Sequence, residues 1–186
     1  MATRRHLLLL AALLPFAATL PAYAESRRDR LFARLRLAAS EREGRLAEDQ
    51  VWRMWMNEAP TAAIAEAVAH AMRRRERYDW DAALAILDTV VTDAPDYAEG
   101  WNQRAFIRFL KQDFDGSLED IEQALRHEPR HFAALAGKAQ ILMRQGRVEL
   151  GQAALRQALQ IHPWLKERSM LIPLPGELPP GEGKDI

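Results

Sequence analysis

The chain has 186 residues, with 26 basic and 26 acidic side chains and no cysteine. The missing cysteine excludes disulfides, thiolate metal sites and a lipid-modified N-terminal Cys, so packing alone must hold the fold. The balanced charge argues against nucleic acid as a partner.

The N-terminus reads as an export signal rather than as part of a fold. Arg4, Arg5 and His6 form a short basic start, and Leu7 to Leu20 is apolar apart from a break at Pro15. Ala22-Tyr23-Ala24 is a small-x-small cleavage pattern. The apolar run is shorter than the roughly 20 residues a spanning helix needs. A signal peptide over 1–24, cleaved after Ala24, is therefore expected, with an uncleaved anchor as the alternative. The Leu-rich run suits the general secretory route, although Thr3-Arg4-Arg5-His6-Leu7-Leu8 is similar to a twin-arginine signal. Cleavage leaves 24 basic against 26 acidic side chains. The expectation is an exported, periplasmic chain with no stable membrane anchor, long enough for one compact domain.

Residues 25–60 predict two helices. The first runs from about Arg27 to Ala39, with Leu31, Phe32 and Leu35 on one side. The second begins at Ser40, where Ser40-Glu41-Arg42-Glu43 is a capping-box pattern. It ends before Pro60, and Thr61 is placed to cap the helix that follows. Its sequence VWRMWM puts Val51, Trp52, Trp55 and Met56 within an arc of roughly 140°, with Arg53 and Asn57 outside it. Such an arc needs a partner surface, most simply the chain that follows it, with a dimer contact or a peptide or membrane surface as the alternatives.

From residue 64 the chain repeats itself. Pro95, Pro129 and Pro163 are spaced by 34 residues, and so are Ala71, Ala105 and Ala139. Ala83, Ser117 and Gly151 form a small-residue column at the same period, and Leu87, Ile121 and Leu155 a large apolar one. Val90, Ala124 and Ala158 follow, then Val91, Leu125 and Leu159. Small columns let two helices approach closely, and large ones fill the space beside them. Each proline ends a helix by disfavouring helical geometry at the preceding residue. Turn signals at Tyr78-Asp79, Asp113-Phe114-Asp115 and Gln145-Gly146 split each unit into two helices, with Trp80, Phe114 and Val148 at or near the start of the second.

This 34-residue pattern resembles the tetratricopeptide repeat (TPR), most fully in Trp101, Ala105, Ser117, Ile121, Ala124 and Pro129. WNQRAF (101–106) and PRHFAAL (129–135) also make the chain similar to small exported proteobacterial repeat proteins of undefined role. The resemblance implies an all-α fold: a right-handed solenoid of three helical hairpins at 64–97, 98–131 and 132–165, inside a domain spanning 61–171. Residues 25–60 would then be N-terminal capping helices packed on the first repeat, whose Ala67, His70 and Arg74 replace larger family residues. Trp164, Leu165, Met170 and Leu171 suit a short helix covering the third repeat. The Pro- and Gly-rich stretch 172–186 lacks periodicity and is expected to be disordered or extended.

No Gly-rich phosphate loop, nucleophile elbow or H-E-x-x-H zinc pattern occurs, so neither an enzyme nor a cofactor is expected. His127 and His131 are separated by Pro129 and should flank a turn rather than bind a metal. Arg104 replaces an apolar family residue and is expected to pair with Asp120, with ligand binding as the alternative. The resemblance implies a protein or peptide partner held in a concave groove. The groove positions would be Val68, Met72 and Arg75 in the first repeat, Asn102, Phe106 and Phe109 in the second, and Ala136, Gln140 and Met143 in the third. The basic clamp by which chaperone-binding relatives hold terminal carboxylates is absent, because Val68, Met72, Gln103, Ala133 and Gly137 stand at its sites. The function expected is an adaptor or assembly factor of the cell envelope. The alternative is a self-associating protein, such as a homodimer, whose groove is filled by its own helices or by a second copy.

Overall fold

The computed structural model describes residues 26–174 and Gly176. The signal segment 1–24, and the tail expectation for all but 172–174 and Gly176, lie outside the described residues. Within them eight helices follow one another: α1 (Arg27–Leu37), α2 (Glu41–Met56), α3 (Ala62–Glu76), α4 (Trp80–Asp93), α5 (Ala98–Leu110), α6 (Phe114–His127), α7 (Phe132–Arg144) and α8 (Val148–Ile161). A short 3-10 helix, Lys166–Met170, closes the array. Among the described residues no helix is long and apolar enough to cross a membrane.

The helix starts follow local chemistry. Ser40 Oγ accepts from the Glu43 amide at 3.3 Å, while the Glu43 carboxylate accepts from the Ala39 amide at 2.9 Å. Thr61 caps α3, and Asp79 and Asp113 cap α4 and α6. The turns inside the three hairpins repeat as strictly as the core. Tyr78, Gln112 and Gly146, 34 residues apart, all sit in the left-handed region at φ 59°, 63° and 76°. Only the third is glycine, so the first two turns form at a steric cost.

α3 with α4, α5 with α6, and α7 with α8 form three stacked antiparallel hairpins, the solenoid that the 34-residue period predicts. The columns explain why. Ala71, Ala105, Ala139, Ala83, Ser117 and Gly151 are all buried, and so are Leu87, Ile121 and Leu155. Val90, Ala124 and Ala158 have no exposure at all. Arg104 and Asp120 meet across the second hairpin in a two-pronged ion pair of 2.9 and 2.7 Å, with Arg108 at 3.3 Å from the same carboxylate. Arg104 also lies over the Trp101 ring and reaches Asp88.

The N-terminal hairpin, α1 with α2, departs from expectation. Its arc is buried as the sequence requires: Val51 and Trp55 completely, Trp52 and Met56 in part. Its main partner, however, is the third repeat and not the first. Phe32, Leu35, Ala47, Val51 and Trp55 share one core cluster with Phe132, Leu135, Ala136, Ala158 and Leu165. Only Met56, at the end of α2, and Ala59 just beyond it reach the cluster of the first repeat. The array curves enough to bring the start of α7 and the segment after α8 opposite α2. Periodicity reports that an arc needs cover but not which repeat supplies it.

Polar links fix this crossing. Arg28 bridges Glu58 and the buried Glu128, and Arg130 pairs with Asp29 while covering the Phe32 ring. The Trp164 indole N–H donates to the Ala38 carbonyl at 2.9 Å. Trp164 lies so close to Gly44 that a β-carbon there would stand 2.8 Å from it, so only glycine allows the approach. The C-terminal segment therefore does two things. Leu171 packs on the third repeat as expected, while Leu165 belongs to the hairpin's cluster. Residues 172–174 are non-helical; the Ile172 amide and carbonyl are held by Gln152 and Arg156 on α8.

Candidate functional site: the concave face

The first helices of the three repeats, α3, α5 and α7, lie side by side and form the concave face, and α2 runs across it. One half is thereby covered. The Trp55 indole stacks on the His131 ring with centroids 4.0 Å apart and planes 10° from parallel, and packs on Phe132 at 5.0 Å. His131 is the N-cap of α7: its Nδ1 accepts from the Ala134 amide at 3.3 Å. In the neutral ring Nε2 then carries the proton, and it donates to Glu99 at 3.0 Å. Glu99 is buried and also accepts from Asn102 at 3.2 Å and Gln103 at 2.5 Å. Gln103 Oε1 in turn accepts from Arg75 at 3.2 Å. A continuous polar chain thus connects the covered half to Arg75. Three hydrogen bonds offset part of the cost of burying this acid.

A second link lies at the far edge of α2. His162, completely buried, donates from Nε2 to Glu48 at 3.2 Å. This bond holds the Glu48 carboxyl below its ordinary value; partial burial works against the shift and the Trp52 indole N–H supports it.

The other half of the concave face is open. A cleft of about 420 Å³ lies between α2 and the repeats, and Arg75, Asn102, Phe106, Ala136 and Gln140 line it together with Glu48, Trp52 and Trp164. Phe106 is 43% exposed and stacks on Phe109 with centroids 6.3 Å apart. A slot of about 60 Å³ between α5 and α7 runs beside these rings, lined also by Gly137 and Ile141. Gln140 is held by Glu167 at 3.3 Å.

Six of the nine residues expected in the groove therefore gather here: Arg75, Asn102, Phe106, Phe109, Ala136 and Gln140. Three do not. Val68 is fully buried in the first core cluster, and Met72 packs on that cluster. Met143 turns toward α8, where Gln152 and Gly151 meet it. Val68 and Met72 pack with Leu87 and Val90 of α4, and Met143 packs against Gln152 and Gly151 of α8, so each is taken up by its own hairpin. Sequence reasoning does not place Glu99, Glu48 or Trp164 at this site; Trp164 is expected only as a cover for the third repeat. A polar set at i, i+3 and i+4 on α5 (Glu99, Asn102, Gln103) is the one signal that points to a buried network.

Comparison with known proteins agrees with this architecture. A tetratricopeptide repeat model matches residues 108–164. A TPR repeat-containing protein of Rhizobium etli is 34% identical over 139 residues, covering 75% of this chain and 68% of the relative. The chain belongs to the tetratricopeptide repeat family. Among solved structures, the TPR2B domain of yeast Sti1, in a complex with pHsp70, superposes with a TM-score of 0.51 at 20% identity. That match covers 53% of this chain and 78% of the Sti1 chain, and at such identity it speaks for the fold alone. The TPR array places this protein among interaction modules. In this chain the N-terminal hairpin lies over part of the concave face.

Proposed function

We propose that this TPR protein is an exported adaptor of the cell envelope that captures an extended segment of another protein in the open half of its concave face. The observation that carries the reading is Phe106. A large ring, 43% exposed and stacked on a second ring, lines a cleft of about 420 Å³ instead of joining the core beneath it. Exposed aromatic surface in a concave, polar-rimmed site favours binding. Asn102 and Gln140 line the cleft with their amide nitrogens already bonded to Glu99 and Glu167, which leaves their carbonyl oxygens to accept from a peptide backbone. The basic start, apolar run and Ala22-Tyr23-Ala24 support export. Binding rather than turnover is the activity, since the titratable groups of the face are tied into structural hydrogen bonds.

A photoreactive residue at Phe106, crosslinked in intact cells and followed by mass spectrometry, tests this. A foreign envelope protein trapped there supports the adaptor. Self-crosslinks alone, or none, sink it. Sequencing the N-terminus of the protein from the envelope fraction tests export: a start at Glu25 is expected, and a retained Met1 contradicts cleavage. One observation favours the second reading, self-association. The α1–α2 hairpin already fills half the groove, and its outer side leaves Leu37 and Leu46 exposed at 73% and 55%. A fixed dimer by sedimentation, lost on Leu46→Ser, would favour it.

A further inference from the structure

We infer that the outward side of the α1–α2 hairpin docks on an anionic phospholipid bilayer, with arginines of α1 on lipid phosphates and Leu37 and Leu46 dipped among the head groups. This goes beyond capture at the concave face and uses a different surface. One helix carries the charge. α1 holds five arginines and one acid in 11 residues, in a chain whose basic and acidic side chains are equal in number. Arg28 turns inward to Glu58 and Glu128, and the acid, Asp29, is matched by Arg130. Arg27, Arg30, Arg34 and Arg36 are exposed. Arg34 is bonded to the neutral Gln50, and among the described residues Arg27 and Arg36 meet no carboxylate.

Helical spacing gives this charge a direction. Arg27, Arg30, Arg34 and Leu37 fall at i, i+3, i+7 and i+10, within an arc of roughly 80° on the side away from the buried Phe32 and Leu35. On that side a groove of about 630 Å³ opens between α1 and α2, floored by Ala33, Ala38 and Ala47. Leu37 and Leu46 line it and are still 73% and 55% exposed. Glu43, also at the groove, is held by the Ala39 amide as part of the cap of α2. On the exposed side of α2, Arg42 and Arg53 outnumber Asp49.

The combination selects the occupant. Guanidinium groups take phosphate oxygens in paired hydrogen bonds. Leucines beside them fit the layer where phosphates give way to acyl chains. The alanine floor offers no polar group for a peptide backbone and suits methylene chains, which need none. A second copy complements the face poorly, because a two-fold contact would set the arginine stripe against its own image.

The test uses the full mature chain from Glu25 and sucrose-loaded vesicles, either phosphatidylglycerol mixed with phosphatidylcholine or phosphatidylcholine alone. Cosedimentation reads binding. That chain has 24 basic against 26 acidic side chains, so net charge does not draw it to an anionic surface and a local face must. Binding to the mixed vesicles alone, weakened by salt, is expected. Arg27→Gln with Arg34→Gln should weaken it about five-fold for each arginine, the scale of one cation at an anionic membrane. Leu37→Ser should weaken it several-fold and leave the salt dependence in place. Arg77→Gln with Arg147→Gln, an equal change of charge at exposed turns of the first and third repeats, should leave it unaltered. All five sites are exposed, so the helical circular dichroism should not change. No binding, equal binding to neutral vesicles, or equal loss in the two arginine pairs overturns the inference. Soluble polyglutamate bound as tightly as the vesicles, with no effect of Leu37→Ser, overturns it in favour of an acidic protein. A lipid-independent dimer lost on Leu37→Ser overturns it in favour of a second copy. Crosslinking at Phe106 reads another face, so capture there stands or falls separately.

Discussion

The Trp55 indole and the His131 imidazole lie face to face, 4.0 Å apart, and join the second helix of the chain to the N-cap of α7, the first helix of the third repeat. In an open solenoid each repeat touches only its neighbours and stability is nearly a sum of local terms. This contact spans 76 positions of sequence and removes that independence. Trp55→Ala should therefore cost about 3–5 kcal/mol, as for other buried large-to-small changes. The loss should appear as one cooperative transition in urea, with amide protection falling in α7 as well as α2. A cost under about half a kcal/mol, or protection lost in α2 alone, would show that the hairpin is only loosely attached.

Arg104 and Asp120 carry the polar lock of the second hairpin. Desolvation holds the Asp120 carboxyl above its ordinary value even with Arg104 and Arg108 beside it, so removing the cation leaves a poorly solvated acid. Arg104→Met alone should cost about 2–4 kcal/mol, below the full value for a broken buried pair because Arg108 remains at 3.3 Å. The double change Arg104→Met with Asp120→Leu should recover most of that loss, since apolar replacements of buried pairs are often neutral. A double-mutant cycle from urea unfolding measures the coupling, and simple additivity would contradict the pairing.

Glu48 and His162 give the hairpin a dependence on acid. The Glu48 carboxyl is held below its ordinary 4.5 by the bond to His162. Its folded value is depressed, so its contribution is fully present above the unfolded value and is lost as pH falls through the folded one. Stability should decline below about pH 4.5, and Glu48→Gln should flatten that part of the curve. Urea midpoints measured from about pH 5 down to about pH 3 check the sign. A variant that follows the parent curve in parallel would remove Glu48 from the account.

How much of this was legible beforehand depends on the range of the information. The three hairpins were legible because column positions such as Ala105, Ile121 and Pro129 report on helices adjacent in sequence. The ion pair of Arg104 with Asp120 was legible for the same reason. The burial of Trp55 was legible from its arc, but its partner His131 was not, because an arc carries no address. The groove was legible in part. Phe106 and Gln140 line the cleft, whereas Val68 packs in the core of the first repeat and Met143 against α8, and the repeat period does not encode which helix packs on a given position.

Gln112 tests the turn geometry. It occupies the left-handed region at φ 63°, where Gly146 stands in the next repeat. It is exposed, so its side chain has little packing to lose. Gln112→Gly should stabilise by about 0.5–1 kcal/mol, the strain relieved less the backbone entropy that glycine adds to the unfolded chain. The gain should appear as a higher urea midpoint with unchanged slope.

Phe106 and Phe109 stack on one another, yet they should separate in experiment. Phe106 faces the cleft at 43% exposure, whereas Phe109 is half-buried and packs on Phe114 in the core of the second repeat. Phe106→Ala should change stability by under about 1 kcal/mol, because much of its area is already in water. Phe109→Ala should cost about 2–4 kcal/mol by opening a cavity against Phe114. Capture of a partner should fall sharply with Phe106→Ala while the helical circular dichroism is retained. If Phe106→Ala unfolds the protein, the ring is a core residue and the cleft is not a binding surface. If it leaves both fold and capture intact, the partner docks elsewhere.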